Sequence, residues 1–99
     1  MLLWEAVRAP QADYRVFVQV RDARGRVMIY REAEPRGGSY PSSAWAEGER
    51  VADTYTVDSA SLPAGVYQVY AGLIDPDGKR LLTVDGRSEV LVGQLNTAP

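Results

Sequence analysis

The segment "DYRVFVQVRD", Asp13 to Asp22, alternates with period two: Tyr14, Val16, Val18 and Val20 fall on one side, and Arg15, Phe17, Gln19 and Arg21 on the other. Side chains two apart share a face on an extended chain, so the segment reads as a strand with one buried face. Asp22, Ala23, Arg24 and Gly25 follow as a polar connection ending in Gly, and then comes the β-rich "RVMIYRE". The pair is a hairpin, and a positive φ is expected at Gly25, where no Cβ opposes it.

The same pattern recurs along the chain. In "ERVADTYTV", Val51, Tyr55 and Val57 share a face with Asp53 among them. An inward carboxylate must be paired or hydrogen-bonded, so Asp53 is expected at a sheet edge or tying down a loop rather than acting as an acid. "GVYQVYAGLID" is the most apolar segment, with Tyr67, Val69, Ala71 and Leu73 opposite Val66, Gln68, Tyr70 and Ile74, and its mixed faces suit a central strand. "DPDGKR" is a turn leading into "RLLTV", and a polar break at Asp85 to Arg87 leads to "SEVLVG". With "LLWEAV" at the start this makes about seven short strands, the pattern of an immunoglobulin- or fibronectin-like antiparallel β-sandwich. A chain of 99 residues is one domain; residues 1–93 form the sandwich and "QLNTAP", 94–99, a loose tail.

Composition narrows the function. The net charge is −2, with eleven Lys and Arg scattered among thirteen Asp and Glu, so no basic field exists to hold a phosphate backbone and nucleic acid is not expected. Without Cys or His there is no thiol chemistry, no zinc site built from these residues and no customary general base. Asp75, Asp77 and Gly78 have the spacing that opens a calcium loop, but the later ligands are missing and a plain hairpin turn is the better reading. Glu47 and Glu49 flank Gly48 in a turn, unlike an acid and base on opposite sides of a substrate. No catalytic, cofactor-binding or metal-binding set is assigned, and an enzyme is not expected. "MLLWEAVRAP" is too short an apolar run for a signal peptide and no run approaches 18 residues, so direct membrane insertion is not expected either.

From Ala33 to Gly48 the chain loses its period and contains Pro35, Gly37, Gly38 and Pro41. Loops of this length cross between sheets or carry function. Tyr40, Trp45 and Glu47 are its candidate ligand or partner contacts, with Tyr40 and Trp45 able to stack a sugar ring. The alternative for Trp45 is a plug over one open end of the sandwich, and the two prolines and the "EGE" turn favour this fixed shape.

"LPAGVY" sets Leu62, Gly65 and Tyr67 just before the strongest strand, and it resembles the tyrosine corner of immunoglobulin-like and fibronectin-like sandwiches, where the hydroxyl bonds backbone a few residues upstream. Taken together, "YRVFVQVRDARGRV", "GGSYPSSAWAEGERVADTYTV" and "LPAGVYQVYAGLIDPDGKRL" resemble the β-sandwich domain that follows the membrane-spanning part of bacterial protein-mannosyltransferase-like glycosyltransferases. The resemblance runs from about Trp4 to Leu82. It implies an extracytoplasmic, non-catalytic accessory module attached to the membrane through its parent chain, whose partner is the remainder of that protein; the catalytic acids belong to the membrane part, so none is carried over. Ala46 stands where the family has Pro, and the family has a further strand before "LLWEAV". A second similarity, to small bacterial intracellular proteinase inhibitors, implies a protease-facing loop at Gly37 to Gly48. A carbohydrate-binding module is the third reading.

Overall fold

The computed structural model describes residues 2–6, 12–53, 55, 60, 62–83 and 85–97. Six strands appear among them: β1 (Leu2–Glu5), β2 (Arg15–Arg21), β3 (Val27–Ala33), β4 (Arg50–Asp53), β5 (Gly65–Ile74) and β6 (Val90–Thr97). They form two antiparallel sheets, β1-β4 and the four-stranded β3-β2-β5-β6, and no α-helix occurs among the described residues. The fold is all-β and sandwich-like.

Two of the expected elements differ. Among the described residues of "RLLTV", 80–83, no seventh strand forms: Arg80 makes one isolated bridge to Ile74 and the Leu81 amide bonds the Leu73 carbonyl at 2.9 Å. Turns at Asp75–Lys79 and Thr83–Arg87 leave too few residues between them for a ladder. Conversely, Gln94–Thr97, expected as tail, completes β6, because β5 is long enough to pair with it down to Gly65↔Thr97. Val7, Thr54, Thr56, Val57, Val84 and the side chain of Asp53 lie outside the described residues.

Alternation sets the core. Val16, Val18, Ala71 and Leu73 face inward from β2 and β5, and Trp4 of β1 packs on them from the other sheet. Val20, Ile29 and Tyr67 continue this layer toward the other end, with Leu62 and Leu95 against them. Ala6, Trp45 and Val51 form a third cluster, joined to the first through Trp4.

The second face of β2 is buried too, against the expectation of one buried face. Phe17 is 0% exposed and Gln19 is also buried. Phe17 is roofed on the outside of the sheet by the Arg80 guanidinium, 4.5 Å from its ring centroid, and by the Tyr30 ring at 6.2 Å. Gly72 lies across from it in the ladder, and a Cβ there would come within 2.5 Å of the Phe17 ring. A glycine inside a strand here marks the place where an aromatic ring occupies the space of a side chain.

Candidate functional site

The 34–49 loop is built as a closed structure. Gly37 and Gly38 take φ of 63° and 91°, and Arg36 itself sits at φ 51°, so the chain doubles back tightly after Pro35, which is buried. Ser42 is fully buried in the following 3-10 turn, Ser42–Ala44. Its hydroxyl donates to the Ala12 carbonyl at 2.8 Å and accepts from the Tyr14 amide at 2.7 Å, which ties the loop to the entry of β2.

Trp45 is 4% exposed, packed with Ala6 and Val51, and its indole N–H donates to the Tyr40 carbonyl at 3.1 Å. It occupies the position of a plug. As a ligand contact it must be corrected, since a buried indole has no face to offer a sugar. The Tyr40 hydroxyl donates to the Glu49 carboxylate at 2.6 Å, and the Ala46 amide donates to the same group at 2.9 Å. The Ala46 amide, then the Tyr40 hydroxyl, hold the Glu49 carboxyl below its usual range. The hydrogen bond to Glu49 in turn pushes the Tyr40 phenol up. Backbone bonds from Ala6 to Glu49 and from Gly48 to Ala6 fasten the end of the loop to the end of β1. Of the three candidate contacts, only Glu47 remains as an exposed group at a turn tip.

The residues singled out before β5 do meet. Tyr67 is buried, its hydroxyl donates to the Pro63 carbonyl at 2.6 Å, its ring lies beside Gly65, and Leu62 packs on its cluster. Asp75 is occupied by its own turn, with Oδ1 accepting from the Asp77 amide at 2.9 Å and the Lys79 amide at 2.8 Å. Asp22 does the same for Arg24 and Arg26, and its carboxyl is held low mainly by the Arg26 amide. No group of three or more acidic side chains able to hold a metal ion occurs among the described residues.

The surface that remains is the outside of the four-stranded sheet, where the register brings Tyr30, Gln19, Tyr70 and Leu91 into one row and Val27, Arg21, Gln68 and Gln94 into the next. Arg21 lies over the Tyr70 ring at 4.1 Å, donates to Gln19 Oε1 and pairs with Glu89, which Arg80 approaches to 3.6 Å. Arg80 of this network also covers the Phe17 ring. Among the described residues, every strongly exposed large hydrophobic side chain belongs to this sheet or its β5–β6 connection: Val27, Met28 and Tyr30 on β3, Val66 on β5, Leu91 and Val92 on β6, and Leu81 and Leu82 between them. Val66 is 54% and Leu91 50% exposed.

No protein-family model, curated protein or solved structure matches the chain.

Sequence reasoning passed over this face. Its signals were the lone Phe of the chain among polar neighbours in "YRVFVQVRD" and Gly72 inside the strongest strand.

Proposed function

We propose that the chain is a non-catalytic accessory module of a larger, membrane-associated, glycosyltransferase-like bacterial protein, and that it docks on the remainder of that protein through the outer side of its four-stranded sheet. The observation that carries this reading is the gathering of the exposed apolar side chains on and around one sheet. Exposed apolar side chains gathered on one sheet of a small domain mark a contact site. The immunoglobulin-like part of the reading is supported by the pairing order. Hairpins β2–β3 and β5–β6 joined through β2–β5, with β1–β4 opposite, follow the C′-C-F-G and B-E pairings of such sandwiches, and the corner tyrosine falls at the start of the F-equivalent β5.

The carbohydrate-binding alternative loses its loop platform once Trp45 is in the core. The inhibitor alternative would need the 37–48 loop to present itself to a protease, and that loop is held through Ser42, Trp45 and Glu49.

The test is the native species in its source cells. An antibody against the domain should detect a polypeptide much longer than 99 residues, in the membrane fraction, released by detergent and not by high salt. A free chain of this length in the soluble fraction, or inhibition of a protease by the purified domain, contradicts the proposal.

A further inference from the structure

Strand β6 is an edge of its sheet: among the described residues it pairs with β5 alone. An edge strand carries a row of unpaired N–H and C=O groups, and monomeric proteins blunt such edges with charge, proline or bulges. The opposite edge, β3, has Arg31 and Glu32, the latter 3.5 Å from Arg15. By contrast β6 reads "VLVGQLNT", with neither charge nor proline. Its irregularity is the bulge at Val92, after which Gly93–Thr97 pairs regularly with Val69–Gly65.

We propose that this regular edge pairs with the same strand of a second copy of the chain, antiparallel about a two-fold axis at Leu95. That register sets Leu95 against the partner's Leu95, Gln94 opposite the partner's Asn96 and Gly93 opposite the partner's Thr97. Leu95 already packs on the Val20, Ile29 and Tyr67 cluster, so the leucine pair continues the apolar layer across the axis. On the other face Gln94 Nε2 donates to Asn96 Oδ1 at 3.2 Å within one copy, and the Gln94 carbonyl and Asn96 amide are a complementary acceptor and donor at each crossing. A second copy fits this edge better than a charged peptide does. The strand offers no charge to attract one, and pairing with itself brings no like charges together. The proposal rests on the β6 edge and not on the accessory reading.

Sedimentation equilibrium on the chain from about 10 µM to about 1 mM should show a reversible dimer. The double variant Gln94→Lys/Asn96→Lys opposes like charges at both crossings and should weaken the dimer about tenfold or more, with its melting temperature as a monomer unchanged. Because the chain has no cysteine, an oxidised mixture of Gln94→Cys and Asn96→Cys chains should give the mixed disulfide in preference to either self-disulfide, since residues two positions out of register lie about 7–8 Å apart. A wild type that stays monomeric at about 1 mM, a dimer indifferent to the lysines, or self-disulfides as abundant as the mixed one overturns the proposal.

Discussion

The Tyr67 hydroxyl donates to the Pro63 carbonyl at 2.6 Å, closing the four-residue step by which the chain enters β5. The same carbonyl accepts from the Thr97 hydroxyl at 2.7 Å, so the phenol helps tie the entry of β5 to the end of β6 while its ring fills the core beside Val20 and Ile29. Tyr67→Phe leaves that carbonyl paired with Thr97 and should cost about 1 kcal/mol in a urea melt. The fold should survive, and a variant as stable as the wild type contradicts the role of the hydroxyl.

Gly72 and Phe17 make a tighter pair. A Cβ on Gly72 would meet the Phe17 ring at 2.5 Å and the Ser88 carbonyl at 2.9 Å, and the carbonyl cannot swing away as a flexible side chain could. Gly72→Ala should therefore destabilise by about 1–3 kcal/mol. Phe17→Ala should cost about 3–5 kcal/mol. Combining Gly72→Ala with Phe17→Leu should be less damaging than the sum of the two, because a smaller side chain at 17 makes room for the new methyl. Strict additivity contradicts the direct contact.

Trp45→Ala opens a cavity between Ala6 and Val51 and should cost about 3–5 kcal/mol. Ser42→Ala, which removes the bonds to Ala12 and Tyr14, should cost about 1–3 kcal/mol. Denaturant melts measure both, and a change under about 0.5 kcal/mol at Trp45, the range of ordinary surface positions, rules out the plug.

The Tyr40–Glu49 pair gives the loop a pH dependence with two arms. Glu49 has a carboxyl lowered from 4.5 in the folded state, so its contribution is present above about pH 4.5 and lost as pH falls through the lowered value. Tyr40 has a phenol raised from 10.0, so its contribution is present below about pH 10 and lost as pH rises through the raised value. Glu49→Gln should flatten the acid arm of the melting-temperature profile and return the Tyr40 phenol toward its ordinary titration, followed at its Cζ resonance by NMR. An unchanged Tyr40 titration contradicts the pairing.

Much of the fold was legible because its signals are local. Asp22–Ala23–Arg24–Gly25–Arg26, Asp75–Pro76–Asp77–Gly78–Lys79 and the run Thr83 to Arg87 share one turn design: an oxygen-bearing side chain first and a glycine of positive φ fourth, at 81°, 86° and 84°. Period-two alternation then fixed the inner faces of β2 and β5. The outer face was not legible. Phe17 is buried by Arg80, which is 63 positions away in the chain, and by Tyr30 across the ladder, and no local pattern encodes such a roof. Ser42 was equally silent, because a serine in a turn-rich run looks alike whether it faces water or the Tyr14 amide. Trp45 was readable as a plug only because proline and glycine chemistry on both sides implied a fixed loop.

Docking through the four-stranded sheet is tested most directly by hydroxyl-radical footprinting of the domain, once as the isolated chain and once in membranes of its source cells. Tyr30, Met28, Val66 and Leu91 are exposed in the isolated chain and should label readily there, then lose most of their labelling in the membrane sample. Glu47 and Ser43, at the tip of the long loop, should label equally in both. Protection of the 37–48 loop with an unprotected sheet contradicts the docking face and moves the contact to the loop.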